Sequence, residues 1–333
     1  MNRSEWTVLE LLKLSGEYWS TCTLHAGVRL DLFTPLAEYP HNAVQLSERL
    51  KTNPRATAML LDALTALELL VKQGDFYETT PFSAQYLSSS SDQYLGYIIM
   101  HHHNLVSGWA QLHEAVISGG PVKEPVSHSG DMSMRENFLM GMFNLASLIA
   151  PRLVGEINLS DRYRLLDLGG GPGTYAIHFC CANPALTATV YDLPTTRAFA
   201  EKTIARYCLT DRVTFVAGDF HRDPVPCGYD VAWLSHILHS DGLETCAVLL
   251  AKAVAALEPG GELLVQEFIL TDIKDGPLFP ALFSLNMLVG TDCGQAYSEG
   301  ELCAMLRNAG LKDISRIAVS LPNGAGIIRG VKP

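Results

Sequence analysis

The stretch Arg164-Leu165-Leu166-Asp167-Leu168-Gly169-Gly170-Gly171-Pro172-Gly173-Thr174 decides the fold of this chain. It begins as an apolar strand, runs into an acidic residue and continues with glycine at every second position. Glycine lets the backbone approach a ligand closely and adopts positive φ, so the pattern predicts a strand, a tight turn and a helix that hold a nucleotide-like cofactor. The alternative is a tight strand-to-helix connection that binds nothing.

The spacing of these glycines separates two classes of cofactor. A dinucleotide turn reads G-x-G-x-x-G, and counting from Gly169 its third glycine falls on Thr174, so that fingerprint fails. The spacing that fits, D-x-G-x-G-x-G, resembles the cofactor loop of S-adenosylmethionine-dependent methyltransferases of the Rossmann-like class. An acid beside the turn suits a ligand that carries a sulfonium and an ammonium and no pyrophosphate. The predicted cofactor-binding residues of the turn are Asp167, Gly169, Gly171 and Gly173.

Acidic residues end the next two predicted strands. The second strand is Thr189 to Asp192, and its acid follows the first by about 25 residues, near the spacing of a carboxylate that binds ribose hydroxyls. In the third strand, Val213 to Phe220, Asp219 can accept a hydrogen bond from an adenine amino group and the phenyl ring can stack on the base. Taken alone, Asp219 would be read as the cap of a turn. The predicted cofactor residues at these strand ends and after strand four are Asp192, Leu193, Asp219, Phe220 and Ser235.

Strands and helices continue to alternate towards the end of the chain. The predicted elements are a strand at 229–234, a helix at 245–257, a turn at 259–261, a strand at 262–267 and a closing antiparallel hairpin at 314–320 and 326–331. This alternation predicts an α/β fold with a doubly wound, Rossmann-like sheet of seven strands.

Composition limits the partners and the compartment. A chain of 333 residues is longer than a single hydrophobic core usually accommodates, which predicts more than one domain. A formal charge of −11 without any Lys/Arg run argues against nucleic acid or an anionic membrane as partner. The eight cysteines form no C-x-x-C pair and no zinc spacing, so reduced thiols and a cytoplasmic location are expected. No uninterrupted apolar run reaches about 18 residues, and no membrane span is expected.

Helical periodicity replaces the strand pattern ahead of the sheet. Helices are predicted at 6–20, 23–32, 43–50 and 54–70, and a small hairpin at 71–78. A helix-turn-helix followed by a hairpin indicates a winged helix, a motif that also reads DNA. The second helix of that motif has a single cation, Arg55, which disfavours a DNA-binding regulator. We therefore expect the apolar opening helices to pack against a second copy of the chain in a homodimer.

Three domains follow from these patterns. We predict a helical, winged-helix-like dimerisation domain at 1–95, a helical linker at 96–159 that roofs the substrate pocket, and the cofactor-binding methyltransferase domain at 160–333.

The order of all these features resembles the small-molecule O-methyltransferases, a family that includes plant caffeate-type, acetylserotonin and bacterial polyketide or phenazine enzymes. In that family a segment ending Leu-His-Asp-Trp after strand four supplies the general base, and Leu238-His239-Ser240-Asp241 has that place here. The resemblance implies that His239 is the base and that Glu267, near the end of strand five, orients it. Two positions depart from the family pattern, because Ser240 replaces an aspartate and Ala296 stands where a second supporting acid is usual.

The implied reaction is methyl transfer from S-adenosylmethionine to a hydroxyl of a small aromatic or polyketide-like acceptor. Histidine suits proton removal because its unperturbed pKa near 6.5 leaves it mostly neutral at cytoplasmic pH. The departures at Ser240 and Ala296 leave an alternative: a divergent member that binds the same cofactor but catalyses hydroxylation, decarboxylation or C-methylation. The resemblance also implies four residues of the substrate pocket, namely His103, Phe283, Asn286 and Met287.

The run His101-His102-His103 does not predict a metal site. Three successive side chains on a helix point about 100° apart, so they cannot all face one ion. The sequence predicts no metal elsewhere.

Overall fold

The computed structural model describes residues 6–123 and 131–333. The chain divides into two compact units, Met1–Leu105 and Val106–Pro333. The domain boundaries predicted at 95 and 159, and the roofing of the pocket by the linker, stay predictions.

The first unit is mainly helical and carries the predicted hairpin. Its helices are α1 (Val8–Gly16), α2 (Tyr18–Arg29), α3 (Phe33–Glu38), α4 (Ala43–Leu50), α5 (Pro54–Ala66), α6 (Pro81–Leu87) and the start of α7 (Gly96–Trp109). Its strands are β1 (His41–Asn42), β2 (Leu70–Gln73) and β3 (Phe76–Thr79), which pair antiparallel in the order β1-β3-β2. Among the fully buried side chains of its core are Leu32, Phe33, Leu61 and Leu64.

Three predicted helices in this unit have different bounds in the structure, and the one predicted at 23–32 is α2, Tyr18–Arg29. The helix predicted at 6–20 starts at Val8, where Thr7 and Glu10 form a capping box, and it ends at Gly16. Glycine is a poor residue for a helix interior, so the break falls there and α2 begins at Tyr18. The helix predicted at 54–70 ends at Ala66, because Glu68 adopts a φ of 60° and the chain then enters β2.

The second unit is an α/β sandwich of helices on a mostly parallel sheet. Its helices are α8 (Leu112–Ser118), α9 (Met132–Glu156), α10 (Thr174–Ala182), α11 (Arg197–Arg206), α12 (Leu243–Ala256), α13 (Leu278–Gly290) and α14 (Glu299–Asn308). Its strands are β4 (Arg164–Leu168), β5 (Thr187–Asp192), β6 (Val213–Ala217), β7 (Tyr229–Ser235), β8 (Leu257–Leu270), β9 (Tyr297–Ser298), β10 (Lys312–Arg316) and β11 (Ala325–Val331). Across the described residues the main order is β10-β11-β8-β7-β4-β5-β6, with the two-residue β9 beside β8.

The sheet places the candidate site at one edge. β4 to β8 run parallel, so their carboxyl ends meet at the same edge, where ligands of such sheets bind. The closing hairpin of β10 and β11 is antiparallel, as the sequence predicts. β6 stops at Ala217, short of the predicted 220, because the chain turns there. β8 is longer than predicted and includes the 259–261 segment, where Gly260 has a φ of 78° and the register with β7 shifts.

One helix of the described residues, α9, is long and apolar enough to cross a membrane by length and composition alone. A core helix of a soluble protein passes the same test. The side chains of Leu139, Phe143, Ala150 and Leu153 on this helix are buried within the fold.

Candidate active site

The glycine turn joins β4 to α10 and leaves backbone open to a ligand. Gly169, Gly171 and Gly173 have φ values of 73°, 54° and 79°, which only glycine adopts without strain. A Cβ at Gly169 would lie 2.5 Å from Cδ1 of Ile237, so this position has no room for a side chain. At Gly171, by contrast, a Cβ would meet nothing within 4 Å. The open face of the turn is therefore at Gly171.

Asp167, the acid of the turn motif, is buried without a cationic partner among the described residues. Its side chain is 1% exposed, and its Oδ2 accepts a hydrogen bond from the backbone N–H of Ala176 at 3.2 Å. Burial raises the pKa of this carboxyl to about 7, since a charge in a low-dielectric site is costly. A positive charge brought close to it would offset that cost.

Asp192, at the end of β5, forms a hydrogen bond with the glycine turn. Its Oδ2 accepts from the N–H of Gly171 at 2.7 Å, and its Oδ1 accepts from the N–H of Leu193 at 2.7 Å and the hydroxyl of Thr196 at 3.0 Å. Burial raises the pKa of this carboxyl as well. The carboxylate of Asp192 therefore lies against the open face at Gly171, and Leu193 follows it in the chain. Their predicted roles in binding the cofactor stay predictions.

Asp219 caps a turn and Phe220 lies over the glycines. Oδ1 of Asp219 accepts from the N–H of His221 at 2.9 Å, which is the capping role that the residue would have in isolation. Cε1 of Phe220 lies 3.4 Å from where a Cβ of Gly169 would be, so the ring lies against the turn at Gly169. Lys252 holds this loop, because its Nζ donates to the carbonyl oxygens of Phe220 and Asp223 at 2.7 and 2.9 Å. The sequence analysis missed Lys252, since no local pattern links it to a loop some 30 residues earlier.

Ser235 ends β7 and faces the neighbouring strand. Its hydroxyl donates to Oε1 of Gln266 at 3.2 Å, and the Gln266 side chain is fully buried. The contact joins the end of β7 to the neighbouring position in β8, one residue before Glu267.

His239 and Glu267 form the centre of the site. The histidine lies in a one-turn 3-10 segment, Leu238–Ser240, after β7, and its Nδ1 lies 2.8 Å from Oε2 of Glu267. The backbone N–H of His239 also donates to Oε1 of the same carboxylate at 3.3 Å. Burial alone would raise the pKa of the Glu267 carboxyl, but the neighbouring imidazoles more than offset it and hold that pKa well below its usual range. The glutamate is therefore ionised and fixes the ring of His239.

Aromatic side chains surround this pair. The ring of Phe283, on α13, meets that of His239 edge-on at 4.7 Å, and Phe268 packs against Phe283 at 4.8 Å. Phe279 extends the wall at 4.8 Å from Phe268 and is 39% exposed. Such a wall suits a flat aromatic ligand.

The other predicted pocket residues have different surroundings. Oδ1 of Asn286 accepts from Nε1 of Trp109 at 2.9 Å, and Met287 is half-buried on the same helix. His103 lies in the first unit, where its Nε2 is 2.7 Å from Nη1 of Arg29 and its ring is 5.4 Å from that of His25. The predicted roles of these residues in a pocket stay predictions.

The two departures from the family pattern are visible in the structure. Ala296 is 1% exposed, and its N–H donates to the hydroxyl of Ser284 at 3.0 Å, so no acid faces His239 from this position. The hydroxyl of Ser240 donates to the carbonyl oxygen of Ile237 at 2.7 Å. Asp241, the next residue, lies 3.7 Å from Nε2 of His221.

A glycine turn that lacks the pyrophosphate spacing, at the carboxyl edge of this strand order, is the architecture of the Rossmann-like methyltransferases. Residues 111–312 match the family described as the O-methyltransferase domain, and residues 12–89 match the O-methyltransferase dimerisation domain. The chain belongs to the O-methyltransferase family.

Individual relatives are similar to this chain over nearly its whole length. The chain is 36% identical to 3-hydroxy-5-methyl-1-naphthoate 3-O-methyltransferase of Streptomyces sahachiroi, covering 97% of this chain and 94% of the relative. It is 35% identical to the tetracenomycin polyketide synthesis 8-O-methyl transferase of Streptomyces glaucescens, over 97% and 96% of the two chains. Among solved structures, human N-acetylserotonin methyltransferase in complex with S-adenosylmethionine superposes with a TM-score of 0.86 at 27% identity, over 100% of this chain and 99% of that one.

The cofactor is S-adenosylmethionine. The residues of this chain fit it, because the turn is open at Gly171, Asp192 lies against that opening and Asp167 is an uncompensated carboxylate. A sulfonium nucleoside bound here would bring a positive charge to a site in which Asp167 has no cationic partner among the described residues.

Proposed function

We propose that this O-methyltransferase methylates a hydroxyl of a flat aromatic molecule of the polyketide type, with His239 as general base and Glu267 as the residue that orients it. The observation that carries the proposal is the 2.8 Å contact between Nδ1 of His239 and Oε2 of Glu267 beside an aromatic wall. The names of the two Streptomyces relatives, a hydroxynaphthoate enzyme and a polyketide enzyme, support the class of acceptor.

The chemistry of the chain follows from the orientation of the imidazole. An N–H at Nδ1 donated to Glu267 leaves the lone pair of His239 on Nε2, where it can take the proton of an acceptor hydroxyl. The glutamate then stabilises the imidazolium that forms. S-adenosylmethionine, when bound, supplies a methyl group that is electrophilic because it is attached to a sulfonium. We assign Asp192 to the ribose hydroxyls and Phe220, with Asp219, to the adenine.

The test is methyl transfer from labelled S-adenosylmethionine to a panel of phenols, hydroxynaphthoates and hydroxyquinones, with product identification by mass spectrometry and NMR. We expect label in an aryl methyl ether. Label on carbon, or consumption of acceptor without label, would contradict the proposal.

The divergent alternative has one observation in its favour. The second supporting acid is replaced by the buried Ala296, so His239 has one carboxylate where the family pattern has two. If the panel yields a hydroxylated, decarboxylated or C-methylated product, this alternative replaces O-methylation. Ala296→Asp and Ala296→Glu then test whether the missing acid decides the outcome, because restoring it should move the product towards the methyl ether.

We also propose a homodimer through the first unit. Leu9, Leu12 and Trp19 on α1 and α2 are 79%, 63% and 69% exposed, and a partner copy would cover these large apolar side chains. Light scattering should show a dimer that Leu9→Glu dissociates. Ile117→Glu, which changes an equally exposed residue of the second unit, is the matched control and should leave the dimer intact. A monomeric wild type would contradict the proposal, and a cytoplasmic location stays a prediction.

A further inference from the structure

Two histidines face the same buried carboxylate. Nδ1 of His239 lies 2.8 Å from Oε2 of Glu267, and Nδ1 of His236 lies 3.6 Å from that same oxygen. A donor atom from each of the three residues lies within 4.8 Å of the other two. The proposed methyl transfer uses His239 and Glu267 and leaves His236 without a function.

His236 is held in place with one nitrogen unused. Its φ is 57°, a left-handed conformation that is strained for histidine, and its N–H donates to the carbonyl oxygen of Gln266 at 2.8 Å. Its ring packs against that of Phe268 at 4.2 Å. Its Nδ1 is buried and has no hydrogen-bond partner among the described residues, because 3.6 Å to the glutamate is too long for one. The fold therefore fixes a ring nitrogen near a carboxylate without using it.

We propose that a divalent transition-metal ion of the zinc class binds to His236, His239 and Glu267 and blocks methyl transfer. Two imidazoles and one carboxylate are a donor set of zinc sites with an open fourth position. Bonds of about 2.0 to 2.2 Å require the three donor atoms to draw together from their present spacing, a rearrangement of side chains. The buried glutamate supplies the negative charge that a divalent ion needs, and the rings of Phe268 and Phe283 pack next to the two histidines.

The same site explains why the ion would inhibit. A neutral imidazole has one lone pair, and coordination through Nδ1 of His239 leaves the proton of the ring on Nε2. The proton now shared with Glu267 moves from Nδ1 to Nε2 by way of solvent, so the ring can no longer accept a proton from an acceptor. Inhibition in this form rests on the proposed role of His239 as base, whereas binding of the ion does not. Protons compete with the ion for the same nitrogens, so affinity falls as pH falls.

Cobalt(II) is the probe, because it takes zinc sites and absorbs visible light in a tetrahedral site. Titrating the cofactor-free protein with cobalt chloride should give one saturable visible band per chain, which zinc chloride abolishes. His236→Phe keeps a ring against Phe268 but has no nitrogen, and should lose the band. His113→Phe removes an exposed histidine outside the cluster, and should keep it. The eight cysteines are identical in all of these proteins, so metal bound by thiols gives no difference.

Methyl-transfer assays give the second readout. Zinc should inhibit the wild type and the His113→Phe variant alike, and the concentration for half-inhibition should rise at least about tenfold in His236→Phe. His236→Asn serves if that variant does not fold, since asparagine tolerates positive φ and its amide is a weak ligand for zinc. A wild-type cobalt spectrum no different from that of a folded His236 variant would overturn the proposal, and so would equal zinc inhibition of the two. If cobalt binds as expected but His239→Ala retains methyl transfer, the proposed base is wrong and the metal site stands.

Discussion

Two carboxylates at the same edge of the sheet, Asp167 and Glu267, are each 1% exposed and yet have opposite electrostatics. Burial raises the pKa of Asp167 to about 7, while the imidazoles around Glu267 offset burial and lower its pKa. Two equally buried carboxyls can therefore favour different protonation states, because the groups that surround each carboxyl decide its pKa. The glutamate has the imidazoles of His239 and His236 beside it within the chain. The aspartate lies beside an open glycine turn, where a cationic cofactor would serve as its partner.

The largest expected effect comes from removing the partner of Glu267. His239→Ala should lower kcat by about 10² to 10⁴, because a positioned general base contributes that much to proton transfer. Affinity for S-adenosylmethionine, measured by calorimetry, should not change, since the residues that we assign to the ribose and the adenine follow β5 and β6. His113→Ala, which removes an exposed histidine of the same unit, is the matched control and should change neither kcat nor cofactor affinity. Wild-type turnover in His239→Ala would mean that the acceptor loses its proton to another group.

Removing the charge of Glu267 should have a smaller effect. Glu267→Gln keeps the size of the side chain and an oxygen for Nδ1–H, but it no longer stabilises an imidazolium. We expect kcat to fall by about 10 to 10², because the base itself remains. The KM for S-adenosylmethionine should stay the same. A fall as large as that of His239→Ala would indicate that the amide misorients the ring.

The third prediction concerns Asp167, the buried carboxyl without a cationic partner among the described residues. Asp167→Asn removes the charge but keeps an oxygen for the N–H of Ala176, and should weaken S-adenosylmethionine binding by about tenfold, or about 1.4 kcal/mol. The demethylated product, which lacks the sulfonium charge, should lose less affinity. Asp211→Asn, at an exposed position of the same unit, should alter neither. Equal losses for both compounds would contradict a role for Asp167 in balancing the sulfonium.

The smallest effect concerns stability without cofactor. A carboxyl whose folded pKa is raised stabilises the fold most below its unfolded value, here 3.8, and that contribution is lost as pH rises to about 7. Glu267, whose folded pKa is lowered, has the opposite sign, but its contribution is lost only as pH falls below its unfolded value of 4.5. Between pH 5 and 8, therefore, Asp167→Asn should make the thermal midpoint less dependent on pH and raise it by a few degrees at pH 8. Calorimetry of both proteins across that range checks this, and parallel curves would contradict it.

The Asp167 turn and the His239–Glu267 pair show which features of the site could be predicted from the sequence. Asp167, the glycines and Asp192 lie in one βαβ unit, and their spacing predicted a glycine turn with one acid beside it and a second acid at the end of the next strand. The structure places that second acid, Asp192, against Gly171. The pairing of His239 with Glu267 followed from the family resemblance and the parallel order of β7 and β8. Contacts between distant segments were not predictable, because nothing local encodes them. Examples are Lys252 on the 220–223 loop and Trp109 on Asn286, which are separated by 32 and 177 residues. The left-handed backbone of His236 was not predictable either, because no glycine or asparagine stands at that position.

The most direct test is a crystal structure with the demethylated cofactor and an acceptor bound together. We predict ribose hydroxyls within hydrogen-bonding distance of Asp192, and an acceptor oxygen about 3 Å from Nε2 of His239 on the side away from Glu267. A nucleoside bound elsewhere, or an acceptor whose oxygens all lie beyond reach of that nitrogen, would contradict the account.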